Sequence, residues 1–242
     1  MAHAEFEGAG LFPGGVGVTR LRVYTAPGAD GLRGGSPHLH TVCSEGYLVT
    51  GGHGRVQTLT LQGGFIETGL RPGTLLWFDP GTIHRLVNDD ALELVVIMQN
   101  SGLPEAGDAV LTFPSTDLAS RAAYEAAARL SPPGGVPSLD GALARRDRAL
   151  AGFSALREAA LAGDLGPLRA FHERASHLVA ALTPAWRQRW KGGAWSAALA
   201  TERQLDAIAA ADTRHFGGAG VHGAEADERF GMCGWLSAYP HT

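Results

Sequence analysis

The stretch PHLHTVCSEGYLVTGG, residues 37–52, sets His38 and His40 one residue apart, with Glu45 five places later and Gly52 closing the run. On a strand, residues i and i+2 face the same side, about 6.6 Å apart along it, so both rings can aim at one point. Glu45 can return from the next short segment with an anionic oxygen. A second stretch, GTLLWFDPGTIHRLVN at 73–88, places Pro80-Gly81 ahead of His84 on a strand of its own. Three neutral imidazoles and one carboxylate suit a divalent ion such as Fe, Mn, Ni, Cu or Zn. Four protein ligands leave up to two positions open on a six-coordinate ion. Catalysis needs open positions, and a structural zinc site has none.

Outward from these stretches, residues 16 to about 100 read as β. VGVTRLRVYT alternates and is rich in β-branched residues. EGYLVT, GRVQTLTLQ, GGFIETGL, GTLLWF, TIHRLV and LELVVIMQ follow, bounded by GGHG, QGG, RPG, DPG and NDD. Gly52 then marks a turn between two of these strands. Short strands with glycine turns predict an antiparallel sandwich or barrel. The last, Leu92 to Gln99, is apolar on both faces, which predicts a wall covered on its outer side.

The two stretches read H-x-H-x4-E-x6-G and G-x6-P-G-x2-H-x3-N, and in this order they resemble the two motifs of the cupin superfamily. Leu32 stands where that family usually has glycine, with Gly31 beside it. The second motif has one extra residue before its proline, and PG where PxG is commoner. Neither departure touches a ligand position. The resemblance covers roughly 15–100. It implies a mainly β fold, a cupin-type double-stranded β-helix or jelly-roll barrel, with one metal ion held by His38, His40, Glu45 and His84.

After Pro114 the period changes to about 3.6. DLASRAAYEAAARL opens on Asp117 as a helix cap. SPPGGVPS at 131–138 is a linker. Residues 141–162, 164–182 and 194–210 read as helices. In the second, Leu165, Leu168, Phe171, Ala175, Leu178, Val179 and Leu182 form one apolar stripe. The expected division is a barrel over 1–115 and an α-helical region with a glycine- and aromatic-rich tail over 116–242. His172 and His177 stand at i and i+5, about 140° apart on a helix, so they do not make a zinc-protease pair. Trp186 and Trp190 read as packing anchors. The tail, with His215, His222, Phe230, Trp235 and Tyr239, either covers the barrel mouth or packs elsewhere.

Tyr47 shares strand parity with Glu45, and its hydroxyl is the candidate catalytic partner; the competing reading is a wall aromatic. Asn88 reads as a cap on the turn into NDD. Arg33, Arg55, Arg71 and Arg85 read as solvated charges, with Arg85 pointing outward. Cys43 reads as a small apolar residue turned off the ligand face.

The net charge is −4, with 6 cations against 11 acidic residues in 1–115 and 14 against 13 in 116–242. That balance argues against a nucleic-acid partner. Two cysteines make no disulfide framework. The start MAHAEFEGAG has neither a basic opening nor a long apolar run, and no window spans a membrane, so the expected location is cytoplasmic. The expected function is metal-dependent chemistry on a small organic molecule, with iron foremost and dioxygenase-type oxidation ahead of a metal-dependent isomerase, epimerase or lyase on a sugar or polyhydroxy acid. A non-catalytic sensing or storage role is the other class, and a homodimer is the expected assembly.

Overall fold

The computed structural model describes residues 11–239; the opening MAHAEFEGAG lies outside them. Among the described residues nine strands form the sheet: β1 (Gly17–Val23), β2 (His38–His40), β3 (Glu45–Thr60), β4 (Gly64–Leu70), β5 (Leu75–Phe78), β6 (Ile83–Met98), β7 (Ala109–Leu111), β8 (Asp227–Phe230) and β9 (Gly234–Ala238). Every pairing is antiparallel. The helices are α1 (Arg121–Ala128), α2 (Leu139–Leu161), α3 (Gly166–Val179), α4 (Thr183–Trp190) and α5 (Ser196–Ala209). This is an antiparallel β architecture joined to a helical region. No helix among the described residues is long and apolar enough to cross a membrane.

β3 and β6 are the long strands of the barrel, and each replaces two short ones expected from the sequence. They pair from Glu45↔Met98 to Leu59↔Ile83, with register shifts between Val49 and Gly54. Gly52 therefore lies in a bulge inside one strand rather than in a turn between two. Its φ is +63°, and a Cβ there would sit 2.1 Å from the Ala91 carbonyl oxygen, so only glycine fits. Ala91 opposite also takes positive φ, +41°. The bulge bends both strands, so each contributes one half to each face of the barrel. Residues 45–49 pair with β5 and with 94–98, while 54–59 pair with β4 and with 83–88.

The half of β6 buried on both faces is 83–88, not 92–99. Along 92–98 burial alternates, leaving Ile97 38% exposed. The outer face of 83–88 is covered because the 26–35 loop folds over it. Arg85 does point outward, yet it is 1% exposed, since Asp30 of that loop receives both its terminal nitrogens. Arg85 is thus a buried ion pair rather than a solvated charge. Arg55 keeps its charge in a surface triad with Asp89 and Glu67.

The helical region packs against the barrel through α2 and α3. Phe153 lies 6.4 Å from Phe65, and Arg157 lies 4.7 Å over the same ring. Gly152 allows α2 to approach, because a Cβ there would meet the Thr112 carbonyl oxygen at 2.1 Å. The buried Arg146 guanidinium donates to the Ala26 and Pro27 carbonyls at 2.7 Å each, tying α2 to the 26–35 loop. The α3 stripe is buried at Leu168, Phe171, Ala175, Leu178 and Val179. α1 is capped by Ser120, whose Oγ accepts from Ala123 N, and not by Asp117. Asp117 binds Arg148 of α2 instead, at 2.5 and 2.7 Å. Trp186 is buried and donates to the Ala106 carbonyl, as a packing anchor does.

The tail packs on the barrel. β9 pairs with β1 from Thr19↔Ala238 to Val23↔Gly234, and β8 pairs with β9. The hairpin turn is wedged between β1 and the strand that leads to His38. Tyr24 N donates to the Cys233 carbonyl, Ser36 N donates to the Met232 carbonyl, and the Tyr24 hydroxyl donates to the Gly231 carbonyl. The tail thus closes the wall rather than capping the mouth.

Candidate metal centre

β2 and β6 place the histidines. His38 and His84 are direct cross-strand partners, and His40 follows His38 on the same face. Ring centroids lie 4.3 Å apart for His38 and His84, 5.3 Å for His38 and His40, and 5.9 Å for His40 and His84. Glu45 opens β3 opposite Phe78 and Met98 and turns its carboxylate to the same point. One donor atom from each of the four residues lies within 4.8 Å of the others, and all four residues are buried.

The orientation of each ring is fixed from behind. His38 Nδ1 meets the Ser36 carbonyl at 2.9 Å, and His84 Nδ1 meets the Thr82 carbonyl at 3.1 Å. His40 Nδ1 meets Asp108 Oδ2 at 3.0 Å. Carbonyls and ionised carboxylates only accept, so each Nδ1 carries a proton and each Nε2 faces the centre. Burial lowers the His40 pKa, but Asp108 and then Glu45 outweigh it and push it up to about 9, so a metal ion would displace the Nε2 proton of that ring. Such outer partners set the tautomer of a metal-binding histidine and increase its basicity.

The four donors do not satisfy one another. His84 Nε2 lies 2.8 Å from Glu45 Oε2, yet neither atom has a hydrogen-bond partner, because they are misaligned for one. His40 Nε2 is 3.5 Å from the same oxygen. Buried polar atoms are rarely left unpaired. Lone pairs that meet at one point without a shared proton are what a cation would satisfy, so these residues fit a divalent ion. Burial would raise the Glu45 carboxyl, but His84 and then His40 outweigh it and hold it well below the usual carboxylate range. Burial, with His84 and His40 adding to it, pushes His38 well down, so its ring is neutral and ready to coordinate.

Asp108 was not singled out by the sequence reading. It lies just past Gly107, whose φ of +97° turns the chain into β7. Its Oδ1 accepts from Thr41 N, Thr41 Oγ1 and Val42 N at 2.9, 2.6 and 2.8 Å, pinning the turn after His40. The one available signal was a lone Asp before a short apolar run, with nothing to link it to His40.

Tyr47 has its ring edge against Phe78 at 5.2 Å, and Phe78 stacks on His84 at 4.8 Å. It is fully buried, as a wall aromatic would be, yet its hydroxyl has no hydrogen-bond partner. Burial, then the Glu45 carboxylate and Cys233, push its phenol well above the ordinary value, so it keeps its proton. Cys43 is buried near Asn100 and Asp108, off the ligand face, as expected. Asn88 bridges rather than merely caps: its Oδ1 accepts from Leu92 N, and its Nδ2 donates to the Val23 carbonyl. His177 Nδ1 donates to the Glu173 carbonyl of its own helix, so it does not converge with His172.

No protein-family model matches the chain, and no curated protein matches it. Among solved structures it is similar to the coconut allergen cocosin, at 25% identity over 34% of this chain and 21% of that one, with a TM-score of 0.29. It is similar to a Klebsiella pneumoniae protein with a double-stranded β-helix domain, at 19% identity over 36% of this chain and 67% of that one, TM-score 0.27. It is also similar to a variant of oxalate decarboxylase from Bacillus subtilis, at 20% identity over 40% of this chain and 24% of that one, TM-score 0.34. The chain therefore spans only about a fifth of cocosin and a quarter of the decarboxylase. The fold and the site stand on this chain's own strand pairing and donor atoms.

Proposed function

We propose that this chain is a metal-dependent enzyme acting on a small organic molecule. The observation that carries the proposal is the pair His84 Nε2 and Glu45 Oε2, 2.8 Å apart and both without a hydrogen-bond partner, inside a set whose three Nδ1 atoms are all tied back. His38, His40, Glu45 and His84 would hold the ion. Three histidines and one glutamate suit iron, manganese, nickel, copper or zinc alike; their likeness to the facial ligand sets of non-haem iron oxygenases is the reason iron and dioxygenase-type oxidation are put first. The ion would supply open positions for a substrate oxygen, and for dioxygen if the metal is iron. The protein's own part is to aim three imidazoles at one point, to hold Glu45 ionised, and to exclude water from a buried site.

Tyr47 favours a second reading, a metal-assisted isomerase or lyase. Its buried, protonated hydroxyl beside Glu45 is placed to give a proton to a substrate oxygen.

Elemental analysis of protein purified without added metal, with His84→Ala as control, tests the site. About one equivalent in the wild type and far less in the variant is expected. Equal metal in both would overturn the assignment. Consumption of dioxygen during turnover separates oxidation from isomerisation.

A further inference from the structure

α3 reaches the metal centre through one side chain. His172 Nε2 lies 3.0 Å from the Gly81 carbonyl oxygen, 91 positions away along the chain. Gly81 belongs to the 79–82 turn between β5 and β6. Gly81 N donates to the His40 carbonyl at 2.8 Å, and the carbonyl of the next residue, Thr82, accepts from His84 Nδ1. The turn thus holds two of the four donor residues, and His172 grips it from the helical side. Gly81 takes φ +87°, which leaves its carbonyl free to face α3.

We infer that His172 is a positioning residue for the metal centre, locking the 79–82 turn so that His40 and His84 keep their aim; this rests on the metal-binding reading above. A carbonyl can only accept, so His172 carries its proton on Nε2. Burial pushes its pKa down, which keeps the ring neutral near neutral pH with one proton to give. The consequence is a role for the helical region: it stiffens the ligand frame of the barrel.

The test uses the full-length chain, stripped of metal and titrated with Co(II) against a competing chelator, with the visible Co(II) spectrum recorded. His172→Phe keeps a ring but has no donor, and is expected to weaken Co(II) binding about tenfold and alter the spectrum. His172→Gln carries a donor at similar reach and is expected to restore most of both. If the phenylalanine variant fails to fold, His172→Asn serves in its place, being polar but too short to reach Gly81. Unchanged affinity and spectrum in the phenylalanine or asparagine variant, even with a lower melting temperature of the metal-free protein, would overturn the inference, as would equal weakening by glutamine. A wild type that binds no Co(II) would sink the metal reading itself, whatever His172 does.

Discussion

Asp108 Oδ2 lies 3.0 Å from His40 Nδ1 across 68 positions of sequence, and the aspartate is fully buried. Burial alone would raise its carboxyl, but His40, then Thr41 and Val42, outweigh it and hold it below the usual range. Asp108 is thus an ionised carboxylate that both orients a ligand and pins the turn behind it. Asp108→Asn keeps the volume but puts an NH2 where only acceptors fit. The expected result is a loss of metal affinity of about 10–100-fold, measured by chelator competition. Wild-type affinity in the variant would remove Asp108 from the site.

Glu45→Gln separates the cost of holding these donors together without metal from their use. Without metal, Glu45 Oε2 is a buried acceptor with no partner, which costs about 1–3 kcal/mol. The glutamine amide can donate to His84 Nε2. The metal-free variant should therefore melt higher than the metal-free wild type, by about 2–4 °C per kcal/mol recovered. Tight metal binding and the stabilisation by added metal should be lost together. Calorimetry of both proteins with and without metal decides it, and a metal-free variant that melts lower than the wild type would contradict the account of crowded lone pairs.

The ion pair of Asp30 with buried Arg85 predicts a pH signature. Burial raises the Asp30 carboxyl, but its hydrogen bonds to Arg85 outweigh this and lower it below 3.8 in the folded chain. A lowered folded-state value means the contribution is fully present above about pH 4 and fades as pH falls through that lower value. Asp30→Asn should cost about 1 kcal/mol near pH 7, a modest figure because Asp30 is partly exposed. The difference from the wild type should vanish in strong acid. Urea unfolding at several pH values reads it; a deficit that persists below pH 2 would mean the carboxylate charge is not what stabilises the loop.

The C-terminal hairpin should be indispensable to the barrel. Ending the chain after residue 226 would expose the β1 edge and open the wall between β1 and Ser36. A loss of cooperative unfolding is expected, seen as a missing calorimetric transition. In the intact chain Cys43 and Cys233 are buried, and burial pushes the Cys233 thiol up to about 12. Neither should react with a thiol reagent until the protein is unfolded. Rapid labelling of Cys233 in the native protein would show that the hairpin does not seal the wall.

The site was largely legible because its parts are local. The i, i+2 spacing of His38 and His40 on a strand, and the Pro-Gly turn before His84, follow from the chain's own geometry. The breaks were harder to read. GGHG and NDD have the composition of turns, but here they are bulges facing each other within β3 and β6. A glycine that a turn would accept is equally what a bulge requires. Asp117 reads as a cap, but Arg148, far along in α2, takes its carboxylate, and Ser120 caps α1 instead.

By itself, the sequence picked out His38, His40, Glu45 and His84 as one cluster, the antiparallel strands that carry them and the change to helix after Pro114, since periodicity and side-chain spacing act over a few residues. Tertiary structure alone decided the rest. Asp108 behind His40, Asp30 under Arg85, His172 on Gly81 and β9 on β1 are pairs 55 to more than 200 positions apart. In each the fold supplies the partner, because a polar atom drawn out of water must find one wherever the chain brings it.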